Sequence, residues 1–345
     1  MNVKSKTAKA AFEKTKLPHI KNIIIVASGK GGVGKSTVAA SLALSLAREG
    51  YATGLLDADI HGPSVPTLFN LNHQRPLSIE KEGKTWIEPF DRNGIRVISI
   101  GCFIDPSQSL LWRGPMVTNA LKQLLNDTDW GVLDYLIIDT PPGTGDVHLT
   151  LLQSYEITGA IVVTTPQAIA LDDVVKAIGM FNNKNVAVPV LGIVENMSWF
   201  TPTLHPEERY FLFGEGGGER LSQRFHIPLI AQIPMNEHIR QSCDEGSLDS
   251  LFQDEQIRRS FTGLVESVLA QRDLNILENT TKRANATPPQ ENVKHRPLLF
   301  HASLEGERVG DDPLCKLMNE QSRCSQETGD DTDTEGDRID DAIYK

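Results

Sequence analysis

The chain has 345 residues, of which 39% are hydrophobic, and a formal net charge of −11. This length allows one large domain with appendages. The absence of an apolar run of 18 residues and of a signal-peptide pattern argues against a membrane protein and predicts a cytoplasmic location. The acidic balance argues against a nucleic-acid partner.

Apolar strands alternate with helical segments over most of the chain. The predicted strands are 23–28, 53–57, 95–100, 134–139, 159–164, 188–194 and 228–232, and the predicted helices are 35–49, 115–126, 145–155, 170–181, 216–225 and 254–271. This alternation predicts an α/β fold with a mostly parallel, doubly wound sheet and helices on both faces. Ligands of such sheets bind at the carboxyl ends of the strands.

Two flanking segments differ from this pattern. Residues 1–21 are polar and basic, and we interpret them as an N-terminal extension ahead of a domain at 22–272. Residues 273–345 hold 9 Lys/Arg and 16 Asp/Glu and show no hydrophobic periodicity. We predict that this acidic tail is largely disordered, because it has too little apolar surface to offset the ordering entropy. Its acidic end either solvates the protein or binds a partner.

A glycine-rich loop follows the first predicted strand. Residues 29–37 read Gly-Lys-Gly-Gly-Val-Gly-Lys-Ser-Thr, and the first eight match G-x-x-x-x-G-K-[ST]. Between a buried strand and a helix, such a loop directs backbone N–H groups and the helix dipole at one anion. The predicted nucleotide-binding residues are Gly29, Lys30, Gly31, Gly32, Val33, Gly34, Lys35, Ser36 and Thr37. We expect Lys35 to face solvent until it reaches the β- and γ-phosphates, and the Ser36 hydroxyl to bind Mg²⁺.

Carboxylates follow two further predicted strands. Asp57 and Asp59 come at the end of strand 53–57, and Asp59 is the candidate that positions or activates the attacking water. Asp57 is then a structural cap, although the two roles could be exchanged. Asp139 ends an apolar strand in the manner of a Walker-B carboxylate, which holds Mg²⁺ directly or through water. In the switch II loop after it, the backbone N–H of Gly143 can sense the γ-phosphate.

Lys30, Asp57-x-Asp59 and Asp139-Thr-Pro-Pro-Gly143 together resemble the MinD/ParA-type deviant Walker ATPases. The stretches 57–66, 144–150, 195–198 and 213–218 are similar to the Mrp-type subgroup, the iron–sulfur cluster carrier ATPases. The resemblance covers about residues 20–270 and implies a P-loop NTPase. It also implies a homodimer in which Lys30 reaches the partner's phosphates, so Lys30 joins Lys35 and Asp59 as a catalytic candidate. In such a protein Asn196 reads the adenine, with help from the segment 233–236.

The chain departs from this family in two places. Members usually carry C-P-x-C before the Phe-Gly-x-Gly segment, but residues 199–212 contain no cysteine, and His205 alone cannot replace two thiolates. The iron–sulfur ligands are therefore unknown. Cys102 is predicted to be a small buried residue and Cys243 an exposed thiol near a helix end, whereas Cys315 and Cys324 lie in the tail. At the other end, residues 2–10 resemble only the last strand of a small N-terminal domain.

The leading hypothesis is a homodimeric ATPase that binds ATP and Mg²⁺ and carries or assembles iron–sulfur clusters. Its partners would be iron–sulfur assembly proteins or apo-protein acceptors, and binding of a cluster by the chain itself is in doubt. The alternative is a MinD/ParA-like ATPase without a cluster, which is switched by ATP and positions or regulates a partner. A membrane-bound switch would need a basic amphipathic C-terminal helix, and a DNA-bound switch would need a basic face. The sequence indicates neither.

Overall fold

The structure is a computed structural model that describes residues 14–104, 114–183, 186–202, 205 and 207–285. The strands are β1 Ile20–Ser28, β2 Thr53–Asp57, β3 Ser78–Lys81, β4 Lys84–Ile87, β5 Phe90–Arg92, β6 Ile95–Ser99, β7 Leu133–Asp139, β8 Gly159–Thr164, β9 Val190–Phe200 and β10 Leu229–Met235. The α-helices are α1 Lys35–Arg48, α2 Val65–Leu68, α3 Gly114–Asn126, α4 Asp146–Ser154, α5 Ala168–Phe181, α6 Gly217–Phe225, α7 Glu237–Glu245 and α8 Glu255–Asn285.

Eight strands form the central sheet in the order β10-β9-β8-β1-β7-β2-β6-β5, and among the described pairings of this sheet only β5–β6 is antiparallel. From β1 the chain moves across β7 to β2, and from β7 it moves the other way across β1 to β8. Because parallel crossovers are right-handed, this reversal puts the intervening helices on opposite faces of the sheet. The prediction of a mostly parallel α/β sheet is therefore confirmed.

The register of the central strands brings the carboxyl ends together. Asp57 of β2 lies opposite Asp139 of β7, and Asp139 lies opposite Val26 of β1. All of β2 and the second half of β1 are buried, as expected for strands that are covered on both faces. The phosphate-loop residues 29–34 thus leave β1 beside two buried carboxylates.

The structure differs from the predicted elements at several boundaries. Strand β9 continues to Phe200 rather than ending at 194, and α8 continues to Asn285, so the prediction of a tail without regular structure is wrong for residues 273–285. Residues 286–345 lie outside the described residues. Several short elements carried too little periodicity to be predicted: α2, the β3–β4 hairpin, β5 and α7. In the part of the chain that is described, no helix combines the length and the apolar character needed to cross a membrane.

Candidate nucleotide-binding site

The phosphate loop is held closely between β1, α1 and α5. Gly34 is the N-cap of α1 and has φ 79°, a left-handed conformation that favours glycine. At Gly29, a Cβ atom would lie 2.3 Å from the carbonyl carbon of Asp173 in α5, so only glycine fits this approach. The sequence therefore meets two backbone requirements of an anion-binding loop at the start of α1.

Lys35 is buried rather than solvent-facing. Its side chain is 6% exposed, and its Nζ lies 2.5 Å from Oδ1 of Asp139, which is fully buried. The expectation that Lys35 faces solvent is wrong, because the buried carboxylate attracts the ammonium group into the protein. Lys35 Nζ is also 3.4 Å from Oγ of Ser36, so three predicted site residues meet at one point.

The second oxygen of Asp139 has a different environment. Oδ2 is buried and has no hydrogen-bond partner among the described residues. Burial raises the pKa of Asp139, while the nearby Lys35 ammonium and the Ser36 hydroxyl act in the opposite direction. A buried carboxylate oxygen beside a hydroxyl is a donor set that suits a hard cation such as Mg²⁺.

Asp57 and Asp59 have distinct surroundings. Asp57 is fully buried: its Oδ1 accepts the N–H of Asp59 at 3.0 Å, and its Oδ2 accepts the Ser99 hydroxyl at 2.8 Å and the N–H of Val65 at 3.3 Å. Burial, with a contribution from the charge of Asp139, raises the pKa of Asp57 to about 7. These contacts favour Asp57 as the structural cap of the loop.

Asp59 lies at the same end of the sheet with fewer contacts. It is 7% exposed, and its Oδ1 accepts the N–H groups of His61 and Gly62 at 3.3 and 3.2 Å. Its charge also contributes to the raised pKa of Asp139, as expected for a nearby carboxylate. Of the two aspartates, Asp59 is the one with fewer hydrogen bonds among the described residues.

Lys30 and Gly143 are engaged within the chain in this structure. Lys30 Nζ lies 3.5 Å from Oε1 of Gln167, which precedes α5. The backbone N–H of Gly143 donates to the carbonyl oxygen of Ser28 at 2.9 Å. Both groups would have to leave these partners in order to contact phosphate.

Asn196 lies inside β9, whereas the predicted strand ended at 194. It is 7% exposed, and its Nδ2 donates to the carbonyl oxygen of Val33 at 2.8 Å. A Cβ atom on Gly34 would come within 2.2 Å of that same Nδ2. Asn196 thus holds the backbone of the phosphate loop through a side-chain hydrogen bond. In the segment 233–236, Asn236 caps α7 by accepting the N–H of His238 at 2.7 Å.

Sequence reasoning missed three polar residues of this region: Ser99, Gln167 and His148. Ser99 bonds Asp57, Gln167 contacts Lys30, and His148 is fully buried with no hydrogen-bond partner for either ring nitrogen among the described residues. Burial, assisted by the charge of Lys35, lowers the pKa of His148 to about 4. Ser99 and Gln167 lie at or just after the carboxyl ends of β6 and β8, a position that would have identified them.

The two cysteines in the described part of the chain lie outside residues 199–212. Cys102 is buried as predicted, and burial raises its pKa to about 11. Cys243 is half-buried against the core, with its Sγ 3.7 Å from Oγ1 of Thr37, so its prediction as a plainly exposed thiol is wrong. Burial raises the pKa of Cys243 as well, which disfavours the thiolate that metal binding needs.

A strand, a glycine loop at a helix N-terminus, and strand-end carboxylates around a buried lysine define a P-loop nucleotide-binding protein. The comparison with known proteins narrows this class. The chain belongs to the family described as "ParA: NUBPL iron-transfer P-loop NTPase", which matches residues 19–269.

Named relatives and solved structures agree with this assignment. An iron-sulfur cluster carrier protein of Synechocystis is 46% identical over 238 residues, which are 69% of this chain and 67% of the relative. One of Aquifex aeolicus is 44% identical over 269 residues, 77% of this chain and 71% of the relative. A nucleotide-binding protein of Archaeoglobus fulgidus, solved in complex with ADP, has a TM-score of 0.60 and 39% identity, covering 71% of this chain and 93% of that protein.

The MinD-type likeness concerns the fold. The septum site-determining protein MinD of Pyrococcus horikoshii has a TM-score of 0.52 at 22% identity, covering 72% of this chain and 95% of that protein. The relatives named as cluster carriers are about twice as similar in sequence. They therefore support the carrier hypothesis over the alternative of a MinD/ParA-like switch.

Proposed function

We propose that this protein is a Mg²⁺-dependent ATPase that acts as a homodimer in iron–sulfur cluster assembly or transfer. The observation that carries the ATPase part is the buried Lys35–Asp139 pair beneath the phosphate loop. A lysine and an aspartate that are buried together beside an anion-binding loop can exchange partners: the lysine can bind a phosphate and the aspartate a cation.

Ser36 and Asp139 are the residues that would hold Mg²⁺. Bound there, the ion would neutralise charge on the phosphate oxygens. The Asp139 oxygen without a described partner supports this assignment, because a buried carboxylate oxygen left unpaired costs free energy. With Asp139 holding a cation, Lys35 would be free to bind the β- and γ-phosphates.

Asp59 is the residue that we assign to the attacking water. Hydrolysis of a phosphoryl group depends mostly on positioning, and a carboxylate can orient the water and take its proton. The three described contacts of Asp57 fix that side chain within the loop, which supports Asp59 for this role.

The homodimer and the cluster function rest on the family. In the dimer, Lys30 would leave Gln167 and reach the phosphates bound by the partner. The iron–sulfur cluster is cargo, received from assembly proteins and given to apo-protein acceptors. Since residues 199–212 offer no thiolate, we propose that any cluster on this chain is held weakly or shared with a partner. The same gap in thiolates is what favours the second candidate, a partner-regulating ATPase without a cluster. A cytoplasmic location remains a prediction.

One experiment tests both parts of the proposal. The protein is reconstituted anaerobically with iron and sulfide, and phosphate release from Mg–ATP and iron per dimer are measured on the same sample. We expect Mg²⁺-dependent phosphate release and substoichiometric iron that passes to an apo-ferredoxin. Absence of phosphate release would contradict the ATPase, whereas phosphate release without any iron transfer would favour the second candidate.

A further inference from the structure

Strand β9 connects the phosphate loop with the exposed chain that follows the strand, the β9–α6 segment (residues 201–216). Within the strand, the Nδ2 of Asn196 donates to the carbonyl oxygen of Val33 at 2.8 Å. At the end of the strand, Phe200 pairs with Tyr210 of the segment through two backbone hydrogen bonds, at 2.9 and 2.8 Å. Positions 196 and 200 of one strand therefore contact the nucleotide-binding loop and the exposed segment, respectively.

The backbone between these two contacts is irregular. Asn196 lies opposite Ile233 of β10 and Phe200 lies opposite Met235, so four positions of β9 span two positions of β10. Such a bulge changes the direction of side chains and is common beside functional sites. Met197, within it, has φ 56°, a left-handed conformation that is uncommon for a residue other than glycine. A strained residue of this kind persists only where the contacts on both sides hold it.

The other end of the β9–α6 segment returns to the same part of β9. The N–H of Gly218, in the first turn of α6, donates to Oε2 of Glu195, the residue before Asn196. The other oxygen of Glu195 accepts the Nε2 of Gln232 in β10 at 3.0 Å. The segment thus begins and ends beside the residue that contacts the phosphate loop, and a displacement of Asn196 would affect both of its ends.

The β9–α6 segment has the character of a region that can respond to such a displacement. Arg209 lies over the ring of Trp199, with its guanidinium carbon 4.4 Å from the ring centroid, and Tyr210, Phe211 and Leu212 are exposed. Segments with little buried apolar surface open more readily than the core strands do. Small changes in β9 should therefore alter the order of this segment before they alter the sheet.

We propose that β9 couples the phosphate loop to the β9–α6 segment, with Asn196 as the positioning residue that carries the coupling. A nucleotide that fixes the Val33 backbone also fixes Asn196 and the bulge, and the segment becomes more ordered. By linkage, a partner that orders the segment tightens nucleotide binding by the same factor. This coupling rests on nucleotide binding, which the proposed function requires, but on neither hydrolysis nor a cluster.

Hydrogen exchange, followed by mass spectrometry on the full chain, tests the forward direction. We expect saturating Mg–ADP to slow exchange in the peptide that covers residues 207–216 by roughly two- to tenfold, the range of one hydrogen bond. In Asn196→Ala, at ADP concentrations that saturate the variant, this slowing should be lost. Asn22→Ala is the matched control, because it removes an amide bond of 3.0 Å to the carbonyl oxygen of Asp134 in the same sheet. It should retain the slowing.

Pyrophosphate separates the phosphate loop from the base as the origin of the effect. It can occupy the loop but carries no adenine, so with Mg²⁺ it should slow exchange in residues 207–216 as ADP does. Slowing by ADP alone would assign the effect to the base and would overturn the route through Val33.

Calorimetric titration with ADP tests the reverse direction. Arg209→Ala removes the cation–π contact of the segment and should weaken ADP by roughly two- to fivefold, the range of one such exposed contact. The double variant Arg209→Ala/Asn196→Ala should bind ADP no more weakly than Asn196→Ala, because the connection is already broken. Arg92→Ala, which removes a similar contact with Phe90 in the edge strand β5, is the matched control and should bind ADP like the wild type.

Several results would overturn the proposal. They are exchange that ADP does not slow in the wild type, equal slowing in Asn196→Ala, wild-type affinity for ADP in Arg209→Ala, or effects of the two substitutions that simply multiply. A wild-type chain that does not bind ADP at all would contradict the proposed function as well, so the two failures are distinguishable.

Discussion

The phosphate loop and the segment between β9 and α6 leave the same edge of the sheet, yet they present opposite surfaces. Around the loop, Lys35, Asp57, Asp59 and Asp139 are all less than a tenth exposed and contact one another or nearby backbone groups. After β9, the consecutive residues Tyr210, Phe211 and Leu212 are 47%, 41% and 61% exposed. The charged side chains of the first region are held in the interior, whereas the second region presents an exposed apolar surface without a thiol.

This contrast separates the two parts of the proposed function. A buried charge is costly unless its partner is placed accurately, so the buried residues around the phosphate loop constrain one another. The 199–212 segment is constrained mainly by Trp199, which has Arg209 over its ring at 4.4 Å, and by backbone bonds between Phe200 and Tyr210. The region that would handle a cluster can therefore change while the nucleotide region stays intact.

The largest effect is expected from Lys35→Ala. We expect loss of ATP binding by roughly a hundredfold or more, because charge-assisted hydrogen bonds to two phosphates disappear. The variant should also lose about 3 kcal/mol of stability, because Asp139 keeps a buried charge without its partner. Calorimetric titration with ATP and thermal unfolding measure the two effects.

The double variant Lys35→Ala/Asp139→Ala is the control for this prediction. It should recover much of the stability without recovering ATP binding. A single variant that melts like the wild type, or that binds ATP with undiminished affinity, would contradict the buried pair as the centre of the site.

Asp59→Asn should come next in size. We expect ATP binding to persist while hydrolysis slows by roughly a hundredfold, because an amide orients and deprotonates water poorly. Phosphate release and ATP titration measure the two. Asp57→Asn is the matched control and should affect turnover less, since Asp57 is held by three contacts within the loop. A larger loss of turnover in Asp57→Asn would exchange the two roles.

The buried His148 predicts a dependence of stability on pH. Its pKa is about 4 in the folded protein and 6.5 when unfolded, so the unfolded chain binds more protons between these values. The contribution of His148 to stability should therefore rise with pH across this window, by about 3 kcal/mol, while Asp57, whose pKa is raised to about 7, acts in the opposite direction. Urea unfolding of the wild type and of His148→Leu at several pH values isolates the histidine as the difference between their two slopes. An equal slope in both proteins would assign it to other groups.

Lys30→Ala should have a smaller and more selective effect. We expect ATP-dependent dimerisation to weaken by roughly tenfold, with little change in nucleotide binding, because we propose that the lysine contacts the partner's phosphates rather than its own. Light scattering with a non-hydrolysable ATP analogue measures the dimer fraction. Lys21→Ala, at the opposite end of β1, is the matched control. An unchanged dimer fraction would count against a lysine that acts across subunits.

The smallest effect is expected from Cys243→Ser. Reconstituted wild-type protein should hold little or labile iron, and the variant should differ hardly at all, because the thiol is half-buried against Thr37 and its pKa is raised. Iron per dimer and cluster absorption measure this. A stable cluster that survives removal of residues 286–345 but disappears in Cys243→Ser would establish a dimer-bridging site and contradict our view.

The sequence predicted the sheet and the loop because both depend on local signals. Apolar runs, a glycine motif and strand-end aspartates are visible within short windows, and the parallel topology follows from their alternation. The β3–β4 hairpin, by contrast, has mostly exposed residues and is joined to the rest of the chain by long-range contacts, such as the backbone bonds of Ile87 and the Lys84–Asp127 ion pair. Such contacts join distant parts of the chain and leave no local pattern.

Within the site, residue identity was easier to predict than residue environment. The burial of Lys35 depends on a carboxylate 104 positions away. The predicted strand ended at 194, but β9 continues through polar residues that bond the phosphate loop and α6. Glu195, for example, accepts the N–H of Gly218, and this hydrogen bond offsets part of the cost of burying its carboxylate in the strand. Tertiary bonds of this kind override the local polarity.

The hydrogen bond from Gly143 to Ser28 has a consequence for the timing of the proposed ATPase cycle. A single amide proton can serve the strand carbonyl or the terminal phosphate, but not both. Each arrival of ATP would thus detach this loop from β1, and each loss of phosphate would let it return. The hydrogen-bond partner of the Gly143 N–H would thus couple the conformation of this loop to the presence of the γ-phosphate.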